Sequence, residues 1–152
     1  GGKADITELA VGVPVSWEKY YDARVGEFFI FLSLRQFLDR ASAERSATGW
    51  KNDRIQIYGK DNRRLIVFVT KWDNPKESSE FSEAYVRWMK ARFPRGSVRQ
   101  DKERMFLKTA GKEKFLCALD NDMVLIVWGK GVDAGEFASL INKMKTGPQT
   151  KI

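Results

Sequence analysis

The sequence contains no histidine and only one cysteine, Cys117. Catalytic triads and dyads that use a histidine base are therefore excluded, as are zinc sites built from cysteine and histidine. A single cysteine forms no disulfide within the chain, so cysteine usage does not indicate a redox compartment. Cys117 lies in the apolar run 115–119, where we expect the thiol to fill a buried strand rather than act as a nucleophile.

Long apolar runs and nucleotide-binding motifs are also missing. No stretch approaches the roughly 20 residues that cross a bilayer as a helix, so we expect no membrane span. The sequence has no P-loop, no GxGxxG and no GxSxG motif. The acid pairs Glu80/Glu83 and Asp120/Asp122 are typical of a solvated helix face and a turn, not of a tuned acid/base couple. We therefore expect that the protein is not an enzyme and has no cofactor and no metal site. A hydrolase that uses only carboxylates is the lesser alternative.

The residues that are present indicate a folded globular chain. Of 152 residues, 43% are hydrophobic and 31% are charged. This length and balance predict a single domain over 1–152, with an extended lead-in at 1–20 and a frayed tail at 146–152. The chain opens with Gly1-Gly2 and lacks an initiator methionine, which we interpret as a trimmed terminus. Trimming commonly removes an export signal, so this favours an exported protein.

The first half of the chain predicts a helix and a hairpin. Residues 22–47 show helical spacing, with Asp22 as the N-cap and with an apolar stripe expected to pack on a sheet as core: Phe28, Phe29, Leu32 and Leu38. Strands at 53–59 and 64–72 flank a two-residue turn at Asp61-Asn62. This register places Ile57 opposite Ile66 and makes the second strand apolar on both faces, so we expect it to be central and covered on both sides.

The second half predicts a helix, a meander and a final helix. A helix starts at Pro75 after an Asp73 or Asn74 cap and ends before Pro94, and a polar loop follows at 95–103. Strands are predicted at 105–109, 114–119 and 123–129, then a helix capped by Asp133. The order is α-β-β-α-β-β-β-α. It predicts an α+β fold with one antiparallel sheet of about five strands and helices packed on it.

The densest local signal lies at the open end of the predicted hairpin, where one strand starts with GWKNDR and the other ends in WD. The residues that converge there are Trp50, Asp53, Arg54, Trp72 and Asp73. They are a candidate pocket for a polar or cationic ligand, or they are structural plugs and caps. We favour the structural interpretation and expect Asp53 to be buried and bonded to backbone amides or an indole N–H. Arg54 should point to the opposite face of the sheet.

These motifs carry a resemblance. The chain resembles a module of uncharacterised exported bacterial and archaeal proteins in four features. These are the GW-x-x-DR string, the apolar strand ending in WD, the helix with Phe81 near its start and the upstream Gly26-Glu27 helix. That module sometimes follows a domain resembling a zinc peptidase. The resemblance covers about residues 22–92 and implies an accessory, non-catalytic, exported domain, periplasmic or at the cell surface. The element order is also similar to the Mog1/PsbP-like group, which implies fold only.

The chain is basic, with a net charge of +7. Basic residues gather after the second predicted helix, near Trp88 and Phe93, and suggest nucleic-acid binding as the runner-up: Arg92, Arg95, Arg99, Lys102 and Arg104. Acidic residues interrupt nearly every basic stretch, and no RNA-recognition signature is present. We therefore predict a non-enzymatic exported accessory or binding module, whose partner is a protein or an anionic polymer.

Overall fold

A computed structural model describes residues 13–101, 103–109 and 111–144. The described chain forms an α+β structure with one antiparallel sheet in the order β1-β2-β3-β7-β6-β5-β4. The strands are β1 (Glu18–Ala23), β2 (Trp50–Lys60), β3 (Arg63–Trp72), β4 (Ser97–Gln100), β5 (Arg104–Lys108), β6 (Glu113–Asp120) and β7 (Met123–Lys130). The helices are α1 (Glu27–Arg35), α2 (Arg40–Ala47), α3 (Pro75–Arg92) and α4 (Ala134–Asn142). The predicted class is confirmed, but the sheet has seven strands rather than about five.

The predicted hairpin is confirmed in its register. Lys60 pairs with Arg63, Ile57 with Ile66, and Ile55 with Phe68. Asp61 has φ 55, the left-handed conformation that a tight two-residue turn requires. β3 lies between β2 and β7, so it is central, as its apolar sequence predicted.

The sheet is covered on both faces by separate apolar clusters. On one face, α1, α2 and α3 pack on alternate residues of the strands, with Phe81 and Met89 of α3 almost fully buried. On the other face, α4 and Trp17 cover the intervening residues, among them Leu65 and Val127. This alternation follows from strand geometry, in which successive side chains point to opposite faces.

The predicted helix over 22–47 is wrong in its bounds and in its buried face. Asp22 lies in β1 and caps no helix, and the helical stretch is two helices separated at Gln36–Asp39. The break has a local cause, because the Asp39 carboxylate accepts a hydrogen bond from the Ser42 backbone N–H at 2.8 Å and caps α2. In α1 only Ile30 and Leu34 are buried, which are spaced four residues apart and so share one face.

Two edge strands were not predicted. β1 spans the end of the predicted lead-in and the start of the predicted first helix, and β4 lies in the predicted polar loop. All four residues of β4 and five of the six in β1 are exposed. An edge strand with no buried face lacks the apolar alternation that marks a strand in sequence. The first twelve residues of the lead-in and the predicted tail at 146–152 lie outside the described residues.

Candidate functional site

The Asp53 carboxylate holds the start of α1 against the hairpin. One oxygen accepts the Val25 backbone N–H at 2.7 Å, and the other accepts the Gly26 backbone N–H at 2.8 Å and the Trp50 indole N–H at 2.9 Å. Asp53 is only 2% exposed. The expectation that it is buried and bonded to backbone amides or an indole is confirmed. Gly26, the N-cap residue of α1, has φ 87, which glycine adopts without steric cost.

Arg54 points away from Asp53, as strand alternation predicted. Its guanidinium donates to the Asp22 carboxylate through Nε at 2.8 Å and Nη2 at 2.6 Å. Asp22 also accepts from Lys19 and Gln56. The Arg54 bonds outweigh desolvation and hold the pKa of Asp22 well below its usual range. This ion pair joins β1 to β2, so Arg54 has a structural partner.

The remaining members of the predicted cluster also have structural contacts. Trp72 is fully buried, donates its indole N–H to Thr70 Oγ1 at 2.8 Å and stacks on Phe81 at 4.7 Å between ring centroids. Asp73 has an exposed side chain, and its backbone N–H donates to the Gly49 carbonyl at 2.8 Å. The cap of α3 is Asn74, which accepts from the Glu77 backbone N–H. The described contacts therefore connect the hairpin end to α1 and α3. Ligand binding at Trp50, Asp53, Arg54, Trp72 and Asp73 stays an untested alternative.

A cavity lies behind α1, between that helix, α3 and the sheet. Its volume is about 420 Å³, within the usual range for small-molecule sites. Its wall is formed by Phe29, Ile30, Ser33 and Leu34 of α1 and by an apolar and aromatic lining from the hairpin, α3 and the central strands, including Ile55, Ile66, Phe68, Tyr85, Trp88, Ile126 and Trp128. Burial raises the pKa of the Tyr85 phenol above its usual value.

One end of this cavity carries the charged residues of its lining. Arg92 ends α3, Lys130 ends β7, and Glu113 begins β6 opposite Lys130. The Arg92 guanidinium lies over the Phe93 ring, 4.9 Å from its centroid. The cavity is thus an apolar chamber with two cations and one carboxylate at one end.

α1 exposes much of its apolar surface, contrary to prediction. Phe28 is 71% exposed, Phe29 is 52% exposed and Leu32 is 46% exposed. Leu38, beyond the helix, is half-buried against the core under α3. The helix is apolar around most of its circumference, so its composition could not show which side meets the sheet. The expectation that Phe28, Phe29 and Leu32 are core residues is wrong.

The basic residues of the nucleic-acid alternative are divided between the two faces of the sheet. Arg92 lines the cavity behind α1, whereas Arg99 and Arg104 line an open groove of about 940 Å³ beside α4. Both of these guanidinium groups lie over the Phe106 ring, at 4.7 and 5.8 Å from its centroid. Arg95 is exposed in the loop after α3, and Lys102 lies outside the described residues.

The aromatic residues offered for base stacking have other contacts. Trp88 lines the cavity, and Phe93 packs on Phe115 with ring centroids 4.9 Å apart. The predicted basic surface is therefore not one continuous patch with free aromatic platforms. Nucleic-acid binding stays an untested alternative.

Comparison with known proteins gives a family and a fold. A family profile described as a domain of unknown function (DUF8575) matches residues 16–140. The chain belongs to this DUF8575 family. No curated protein matches the sequence. The family's description says nothing of the GW-x-x-DR module or the Mog1/PsbP-like group, so both resemblances stay predictions.

A solved structure shares the fold of this DUF8575 member. The extracellular domain of PknH from Mycobacterium tuberculosis is similar with a TM-score of 0.57 and 10% sequence identity, over 91% of this chain and 90% of that chain. Identity this low shows a likeness of fold alone. Separately, none of the helices in the described ranges combines the length and hydropathy that crossing a bilayer requires.

The cavity residues were missed by sequence reasoning, although a signal for them exists. Tyr85, Trp88 and Arg92 recur at helical spacing, and Trp128 and Lys130 alternate along one strand. In the helix and in the strand alike, the last residue of the pattern is a cation and the one before it is a tryptophan. The sequence predicts that the helix at 22–47 packs closely on the sheet. Close packing there would leave no space for a cavity between the helix and these residues.

Proposed function

We propose that this protein is a non-enzymatic, exported binding module that takes a small apolar ligand into the cavity behind α1. The observation that carries the proposal is the chamber of about 420 Å³ between α1, α3 and the sheet, whose lining is mostly apolar and aromatic. Small-molecule sites have this size and this lining, with a few polar groups at defined positions.

The position of α1 supports entry of a ligand. Ile30 and Leu34 anchor the helix, whereas Phe29 lines the cavity while half of its surface faces solvent. A helix held by so few buried side chains opens at lower cost than a core element. Export is supported by the likeness of fold to an extracellular domain and by the resemblance of the hairpin motifs to a module of exported proteins.

The test is a titration with N-phenylnaphthylamine, a neutral apolar dye whose fluorescence rises in apolar sites. We expect saturable binding at one dye per chain. The variant Ser33→Phe places a ring into the cavity wall and should weaken dye binding at least tenfold. Ser97→Phe makes the same change on β4, in the groove beside α4, and should bind the dye as the unmodified protein does.

Both variants are checked for a cooperative thermal transition before the titration. The proposal fails if the folded protein shows no saturable dye binding. It also fails if a folded Ser33→Phe variant binds as tightly as the Ser97→Phe control. Export is tested separately, by the compartment and mature N-terminus of the native gene product: a product retained in the cytoplasm would contradict it.

A further inference from the structure

Hydrogen-bond donors gather at one end of the cavity. On α3, Trp88 and Arg92 are four residues apart and share a helix face. On β7, Trp128 and Lys130 are two residues apart and share a sheet face. All four side chains line the cavity. Mostly apolar side chains of α1, the hairpin, α3 and the central strands form the rest of the wall, so the cavity has a polar end and an apolar body.

The polar end has a net positive charge. Its charged residues are Arg92, Lys130 and Glu113. Within the described ranges, neither cation has a carboxylate at salt-bridge distance. Glu113 faces Lys130 across the β6–β7 ladder without such a contact. Both cations are exposed side chains and are available to a group that enters the cavity mouth.

The two indoles add to this excess of donors. Trp88 Nε1 and Trp128 Nε1 are buried and have no hydrogen-bond acceptor among the described residues. Buried donors without an acceptor are rare in folded proteins. Protein atoms cover both nitrogens, so a ligand oxygen reaches them only if the rings shift. The two indole nitrogens show that this end of the cavity has more hydrogen-bond donors than acceptors, even without the two cations.

From this arrangement we infer that the ligand is an amphiphile with one anionic head group on an apolar chain, its head between Arg92 and Lys130 and its chain in the cavity behind α1. The inference rests on the proposed function, because it assigns a ligand class to the same cavity. A carboxylate and a phosphate share the needed chemistry, since each offers charged oxygens to guanidinium and ammonium donors. A cationic head group would meet like charge, and a plain hydrocarbon would gain nothing from the two cations.

The experiment measures displacement of N-phenylnaphthylamine by four ligands that share a twelve-carbon chain, each below its critical micelle concentration. They are dodecanoate, dodecyl phosphate, dodecanol and dodecyltrimethylammonium. We expect one or both anions to displace the dye at concentrations at least tenfold lower than dodecanol, with the cation weakest. The preference should fall as salt rises, because the cations are exposed and screened.

The matched variants remove the charges and keep the cavity. In Arg92→Gln/Lys130→Gln, the anions should lose the tenfold preference, since each exposed charge contact contributes up to about fivefold in affinity and the two together exceed tenfold. Displacement by dodecanol should stay within twofold. Arg95→Gln removes a cation from the loop after α3, outside the cavity lining, and should leave the whole series unchanged.

The outcomes separate the ligand class from the proposed function. If all four ligands displace the dye equally, or if the cation is the strongest, the inference is overturned while the cavity remains a binding site. If the anion preference survives in Arg92→Gln/Lys130→Gln, the head group lies elsewhere and the inference is again wrong. If the dye itself does not bind, the proposed function has failed. A preference for only one of the two anions supports the inference and names the head group.

Discussion

Asp53→Asn is the substitution that most sharply tests how α1 is held in place. The carboxylate accepts three hydrogen bonds, and both oxygens are in use. Asparagine is almost the same size but replaces one oxygen with an NH2 group. In one orientation of the amide, its NH2 group faces the Val25 N–H. In the other orientation, it faces both the Gly26 and the Trp50 N–H groups. The substitution thus removes hydrogen bonding and leaves the packing nearly unchanged.

The magnitude follows from those lost contacts. A hydrogen bond to a charged acceptor contributes about 1.5–3 kcal/mol, and a buried donor left without an acceptor costs about 1–3 kcal/mol. We therefore expect Asp53→Asn to lower the free energy of unfolding by about 3 kcal/mol. For a chain of 152 residues this corresponds to a fall in Tm of about 6–12 °C.

The assay is urea denaturation followed by circular dichroism, with Asp73→Asn as the control. Asp73 is the exposed aspartate at the other end of the same cluster, and its substitution should change stability by less than about 0.5 kcal/mol. At a temperature where Asp53→Asn is folded, its dye affinity should remain within threefold. A loss of stability under about 1 kcal/mol would refute the structural role. If the Asp53→Asn variant unfolds like the unmodified protein but no longer binds the dye, Asp53 is a ligand-binding residue.

Three further predictions concern stability and reactivity. Phe28→Ala should lower the free energy of unfolding by less than about 1 kcal/mol, and Phe81→Ala should lower it by about 3–5 kcal/mol. The reason is that Phe28 is 71% exposed and Phe81 is 1% exposed, and equal losses in urea denaturation would contradict it. Because Arg54 lowers the pKa of Asp22, this carboxylate stabilises the fold fully above its unfolded pKa of about 3.8, and the stabilisation is lost as pH falls from there through the lower folded pKa. Asp22→Asn should therefore be less stable than the unmodified protein in urea denaturation at pH 7, and the difference should shrink steadily below about pH 3.8; a difference that is unchanged near pH 2 would contradict this. Burial raises the pKa of Cys117 to about 12, so the thiol should not react with Ellman's reagent at pH 8 until the protein unfolds; a fast reaction in the folded state would place it at the surface.

The hairpin and the burial of Asp53 could be predicted from sequence because their causes lie within residues 50–72, although two of the donors to Asp53, Val25 and Gly26, lie outside that segment. A two-residue turn sets the pairing of every residue along both strands, and the apolar face of Ile55 and Ile66 agrees with only one register. Once the register is known, Trp50 and Trp72 must meet at the open end. A carboxylate beside them must then find donors or remain unpaired in the interior.

The width of the sheet and the orientation of α1 could not be predicted, for two physical reasons. β1 and β4 are exposed edge strands, so nothing in their sequences alternates between core and solvent. In α1, apolar residues surround the helix, and only the packing of α1 on α2, α3 and the sheet decides that Ile30 faces inward while Phe28 faces solvent. The cavity depends on that choice, so it too could not be predicted.

The measurement that tests the central claim most directly is a crystal structure of the protein with omega-bromododecanoate. The bromine marks the end of the chain by anomalous scattering, and the carboxylate marks the head. We expect the bromine inside the cavity, against α1 and the hairpin, with the carboxylate at the end formed by Arg92 and Lys130. A bromine located in the groove beside α4, or a cavity that remains without ligand at saturating concentration, would contradict the account.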